Sequence, residues 1–191
     1  MCRQRGGRRS ISTTPKQKST PWLQQLTKPS NFLAAARPRR QDEGEAIEFE
    51  LDDLYRDLIL DHYRSPRNHA PLAHPTCARE GENPLCGDQV TLQLELERDR
   101  VRQIAFTGLG CSISQASTSM MTECVKGKTL DDIRQLIRQF KAMMLEEAPP
   151  APELGDLEAL QGARKFPVRV KCATLGWNVL EQLVQANGGV R

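Results

Sequence analysis

In the stretch "DQVTLQLELE" the apolar residues Val90, Leu92, Leu94 and Leu96 alternate with polar ones. That period belongs to a strand with one face in a core and the other in water. After a polar turn at 98–100, "VRQIAFTG" supplies a second strand, so the pair reads as a hairpin. A lone hairpin is marginal in water, so its apolar face needs a cover. The rest of the chain offers helices.

Upstream, Leu51, Leu54, Leu58 and Tyr55, Ile59, His62 recur at helical spacing, and Pro66 stops the run. The loop "RNHAPLAHPTCAREGENP" leads to the hairpin. Downstream, "GLGCSISQASTSMMTECVKG" runs at helical spacing to Val125, with Gly127 closing it. Thr129 followed by Asp132 is a capping-box variant opening "LDDIRQLIRQFKAMMLEE". The prolines of "APPAPELGD" break the pattern, and a short helix is expected around Leu157 to Gln161. A last helix is expected from about Cys172, with Leu175, Val179 and Leu183 on one face and Asn187-Gly188 at its end. No internal repeat is visible. The class is α+β: a small antiparallel β-sheet packed against several α-helices.

Charge divides the 191 residues unevenly. Residues 1–41 hold ten Lys or Arg and no acid, so the remainder, with seventeen basic and twenty-four acidic residues, is formally −7. A nucleic-acid role read from the overall +3 would therefore be wrong for the body. Residues 1–46, rich in Arg, Ser, Thr, Pro and Gln, read as a disordered basic extension, leaving 47–191 as one domain. The extension resembles an organellar transit peptide; a solvated tail or a misassigned start codon is favoured. The longest apolar run, "FLAAA" at 32–36, is too short for a membrane span or a signal-peptide core, so no membrane is expected and a cytoplasmic chain is. Six cysteines in such a chain read as thiols or metal ligands before disulfides.

Context sorts those six. Cys2 lies in the extension, Cys77 in a polar loop, and Cys124 mid-helix, where a small buried hydrophobe is the better reading. Cys86 stands on the turn "NPLCGDQV", two residues before Asp88; Cys111 follows Gly-Leu-Gly at a helix start; Cys172 is expected to open the last helix. A helix N-terminus lowers a thiol's pKa toward the thiolate that binds metal and attacks sulfur. Three thiolates and Asp88 make the four ligands of a tetrahedral zinc site. Cys111 comes 25 residues after Cys86, and Cys172 another 61 on, which is no zinc-finger spacing. Spacing alone leaves open a metal site or three buried cysteines with a surface aspartate. His62, on the apolar face of its helix, reads as a packed core histidine, and His69 and His74 have no partner at metal spacing.

"PLCGDQV", "GLGCSISQASTSMM" and "VRVKCATLGW", in that order, closely resemble the iron–sulfur cluster assembly proteins of the IscU/NifU N-terminal family, over about residues 50–188. The SufU branch, of the SUF system, is the nearest. IscU scaffolds carry a histidine just before the third cysteine, where this chain has Lys171, and the stretch through "EEAPPAPELGD" fits the insertion of SufU proteins.

The resemblance implies zinc on Cys86, Asp88, Cys111 and Cys172, with Cys86 accepting persulfide sulfur from a SufS-type cysteine desulfurase. A zinc-bound thiolate is a stored nucleophile, blocked until a ligand exchange frees it. Three thiolates and a carboxylate around Zn²⁺ leave a net −2, which Arg169 could offset; a solvated arginine on a strand edge is the alternative. Two further functions remain open: a scaffold assembling a transient [2Fe–2S] iron–sulfur cluster on Cys86, Cys111 and Cys172, and a structural zinc domain without sulfur chemistry. Other SUF cluster-assembly components are the implied partners.

Overall fold

The computed structural model describes residues 53–188. The extension expected over 1–46 lies outside them, as does Leu51. Helix α1 covers 53–64 and stops before Pro66. Three strands follow, β1 (Cys77–Asn83), β2 (Asp88–Glu97) and β3 (Arg100–Leu109). They form an antiparallel sheet in the order β1-β2-β3. Helix α2 (Ser112–Val125) and helix α3 (Leu130–Leu145) come next. A stretch of 3-10 turns (Pro152–Lys165), kinked at Gly155, leads into helix α4 (Pro167–Asn187).

The β2–β3 hairpin forms as its alternation predicts. Leu92 pairs with Phe106 and Leu94 with Ile104, with a register irregularity at Glu95/Leu96 near the turn. Val90, Leu92, Leu94, Ile104 and Phe106 are all buried. Each such side chain stabilises the fold by roughly 1.5–3 kcal/mol through area removed from water. Helix α4 lies against β1 and β2, and α2 against β3. Trp177 of α4 stacks on Phe140 of α3 with ring centroids 4.3 Å apart.

Thr129 and Asp132 form the reciprocal capping box expected at the start of α3. In α1 the stripe of Tyr55, Ile59 and His62 turns inward, whereas Leu54 is exposed. Among the described residues no helix is long and apolar enough to cross a membrane.

Three local expectations need correction. The loop before the hairpin contains β1, an edge strand whose inward positions are Cys77, Gly81 and Asn83. Gly81 is there because a Cβ would sit 2.3 Å from Val179 Cγ2, so α4 packs on bare backbone and no apolar side chain marks the strand. The helix expected around Leu157 to Gln161 is part of the longer 3-10 stretch, whose Leu154, Leu157 and Leu160 are fully buried. Helix α4 starts at Pro167, five residues before Cys172, because proline suits the first helical position as well as it breaks an interior.

Candidate metal centre

The β1–β2 connection is a tight turn organised by Asn83. Its carbonyl accepts hydrogen bonds from the N–H groups of Cys86 (3.2 Å) and Gly87 (2.8 Å), and its side-chain Oδ1 accepts from Leu85 N–H (3.2 Å). Gly87 takes φ 73°, a left-handed conformation that favours glycine. The turn leaves the Cys86 side chain exposed and sets Asp88, directly opposite Asn83 in the ladder, into the interior.

Asp88 Oδ1 accepts the backbone N–H of Cys111 at 3.0 Å, which anchors the carboxylate at the N-terminus of α2. Its other oxygen, Oδ2, is buried without a hydrogen-bond partner. Gly110 makes room for it: a Cβ there would lie 3.1 Å from Asp88 Cγ. Cys111 is the N-cap of α2, and its thiol makes no capping bond.

Cys172 lies in the second turn of α4, not at its start, and is 2% exposed. The helix-terminus argument for lowering its pKa therefore does not apply. Burial pushes the Cys172 thiol above the ordinary range, and hydrogen bonding with Cys86, Asp88 and Cys111 pushes further the same way. The Cys86 and Cys172 sulfurs share a hydrogen bond at 3.5 Å with both cysteines free, and the amide of Asn83 donates to Cys172 Sγ at 3.9 Å.

Ligand atoms of Cys86, Asp88 and Cys172 all lie within 4.8 Å of one another, which is close enough to share one metal ion. Cys111 falls outside that tight set, although its thiol reaches Cys172. The donor set fits a thiophilic cation such as zinc. Sulfur and carboxylate donors converge with Asp88 Oδ2 unsatisfied, and a cation among them would oppose the burial that raises the Cys172 thiol.

Arg169 sits in the first turn of α4, not on a strand edge. It is exposed and lines a cleft of about 630 Å³ with Ile59, Ser112, Ile113 and Phe166. Its backbone N–H donates to the Phe166 carbonyl at 2.8 Å, and none of the four candidate ligands lines that cleft. His62 is a packed core histidine: it is 1% exposed, its Nδ1 is 2.9 Å from Ser119 Oγ, and burial lowers its pKa. His69 meets the edge of Phe106, and His74 is exposed in the loop. Cys77 and Cys124 stand apart from the cluster, and burial raises both thiols, which leaves them unactivated.

The residue that the sequence did not single out is Asn83. It stands in "GENPLCG", where asparagine before proline reads as turn chemistry, and its sulfur partner lies 89 positions away.

Fold and site together define a small α+β protein that carries a cluster of thiols and one carboxylate able to hold a metal ion. Residues 54–173 match the NifU-like N terminal domain, and the chain belongs to that family, the iron–sulfur cluster assembly scaffold and SufU proteins. It is 46% identical over 140 residues to the zinc-dependent sulfurtransferase SufU of Bacillus subtilis, covering 73% of this chain and 95% of the relative. The iron–sulfur cluster assembly scaffold protein IscU of Streptococcus pyogenes is 39% identical over 142 residues, which is 74% of this chain and 89% of the relative. Among solved structures, a protein described as a cluster assembly scaffold for the SUF system of Fervidobacterium islandicum superposes with a TM-score of 0.63 at 34% identity. It covers 65% of this chain and 92% of its own.

Proposed function

We propose that this chain is a zinc-dependent sulfur acceptor that takes persulfide sulfur onto Cys86 from a SufS-type cysteine desulfurase and passes it toward iron–sulfur cluster assembly in the cytoplasm. The observation that carries the reading is the asymmetry of the thiols. Cys86 is exposed on a glycine-bearing turn, 3.5 Å from a Cys172 that is locked in α4 and buried. Cys86, Asp88, Cys111 and Cys172 would hold the zinc, which when bound supplies the positive charge that keeps the thiols deprotonated.

The sulfur step itself is an exchange. The Cys86 thiolate attacks the terminal sulfur of the desulfurase's cysteine persulfide; that S–S bond breaks, the desulfurase departs as thiolate, and a new S–S bond leaves the persulfide on Cys86. No electron is gained or lost overall. The exposed turn admits the donor, while Asp88 stays fixed by the Cys111 N–H. Two features weigh against the other functions. Lys171 stands exposed where a cluster scaffold would have its histidine, and an exposed Cys86 does not suit a closed structural site.

The test is mass spectrometry of each cysteine-bearing peptide after incubation with a SufS-type desulfurase and cysteine. The persulfide is expected on Cys86. Cys86→Ala should abolish acceptance yet retain some zinc through Asp88, Cys111 and Cys172, whereas Cys111→Ala or Cys172→Ala should lose the metal. Label on Cys111 or Cys172 with Cys86 unmodified overturns the assignment.

A further inference from the structure

We infer that Asn83 is a positioning residue that decides which thiol of the pocket stays on the metal and which one leaves; this rests on the zinc reading above. Asn83 is 6% exposed and belongs to neither the cysteine motifs nor the donor set. Every polar group of its carbonyl and side chain is nonetheless engaged at the site. The carbonyl takes the N–H groups of Cys86 and Gly87 and the thiol of Cys86 (Sγ to O 4.0 Å), Oδ1 takes the Leu85 N–H, and Nδ2 donates to Cys172 Sγ.

The two adjacent sulfurs therefore meet groups of opposite character on one residue. Cys172 faces an amide N–H, a donor that stabilises negative charge on sulfur and fits a thiolate that remains a ligand. Cys86 faces a carbonyl oxygen, an acceptor that gives nothing to a thiolate and can take a hydrogen bond from a thiol only. A donor on one sulfur and an acceptor on the other biases departure toward Cys86, independently of its greater exposure. Outer hydrogen bonds of this kind orient metal ligands and tune their donor strength. Because Asn83 also closes the β1–β2 turn, the residue that holds Cys172 is the one that carries the hinge of Cys86.

The turn and the sulfur contact can be separated by substitution. Asn83→Ser keeps a neutral oxygen that can accept the Leu85 N–H, on a side chain too short to reach Cys172 Sγ. Asn83→Ala removes both. The probe is Co²⁺ in place of zinc, because its sulfur-to-metal charge-transfer absorption reports the electron-donating strength of the bound thiolates. Loss of an N–H donor to a bound sulfur should move that band to lower energy in both variants. Zinc release to a competing chelator should quicken by roughly 10- to 100-fold in both, the usual cost of removing an outer-sphere partner. A turn role alone would change Asn83→Ala and leave Asn83→Ser with the band and release rate of the unsubstituted protein, which overturns the proposal. If the unsubstituted protein takes up neither Co²⁺ nor zinc, the zinc reading fails and this proposal with it. If it binds both metals normally but persulfide never reaches Cys86, the function fails while the role of Asn83 at the metal stands.

Discussion

Gly176→Ala tests whether the crossing of α2 and α4 sets the distance between the two helix-borne thiols. Cys111 caps α2 and Cys172 rides on α4, and the helices approach closely where Gly176 meets Thr118. A Cβ on residue 176 would lie 2.6 Å from Thr118 Oγ1, 3.2 Å from its Cγ2 and 3.3 Å from its Cβ. Thr118 cannot swing away freely: it is buried and β-branched, and its hydroxyl donates to the Ser114 carbonyl at 2.9 Å. Overpacking of this kind costs about 1–3 kcal/mol. Replacing glycine by alanine within a helix returns about 0.5–1 kcal/mol. The net is a destabilisation of about 1 kcal/mol, or a fall in Tm of about 2–4 °C for a chain of this length.

The double variant Gly176→Ala/Thr118→Ala removes the obstruction, so in a Thr118→Ala background the glycine substitution should be neutral or stabilising, with a coupling of about 1–2 kcal/mol. The assay is denaturant unfolding of all four proteins, with zinc loss to a chelator followed in parallel. Gly176→Ala alone should shed zinc faster, and the double variant should recover. A Gly176→Ala protein as stable as the parent, with zero coupling to Thr118, refutes the argument.

Chelation should lower Tm markedly, because a bound structural-type zinc contributes on the order of 10 kcal/mol to the folded state; differential scanning calorimetry with and without chelator decides it, and an apoprotein of equal stability contradicts it. Acid should destabilise through His62, whose folded pKa is held below its ordinary 6.5 by burial and by Arg67, against the opposing pull of Glu123, Asp61 and Asp156. That stability is complete above pH 6.5 and is lost as pH falls through the lower folded value, so His62→Gln should flatten the slope of stability against pH below 6.5. Removing residues 1–46 should leave zinc content, stability and desulfurase activation unchanged, and a measured loss of any of them would show that the basic segment docks on a partner.

The hairpin and α3 were readable because their signals are local: period-two alternation at Val90 to Leu96, and a threonine and aspartate at capping distance. Strand β1 was not, since its inward positions are a cysteine, a glycine and an asparagine, and the apolar surface they meet belongs to α4. The start of α4 at Pro167 is not legible because proline carries two opposite meanings that only tertiary context separates. At the site, the order of three cysteine motifs named Cys86, Asp88, Cys111 and Cys172, and the structure brings the first, second and fourth within 4.8 Å. Asn83 escaped because a sulfur contact between residue 83 and residue 172 leaves no periodic trace.

The four candidate ligands come from different parts of the chain, so a shared ion is also a knot in the polymer. It would close loops of 25 residues from Cys86 to Cys111 and 61 from Cys111 to Cys172, and restrict the unfolded ensemble as a covalent cross-link does. Those loops are unequal in what each thiol secures. Detaching Cys86 shortens the tied span by two residues, because Asp88 still anchors the strand end. Detaching Cys172 opens the whole 61-residue loop, the one that carries most of the helical layer. A thiol beside its own understudy can come and go through repeated cycles without loosening the chain's topology.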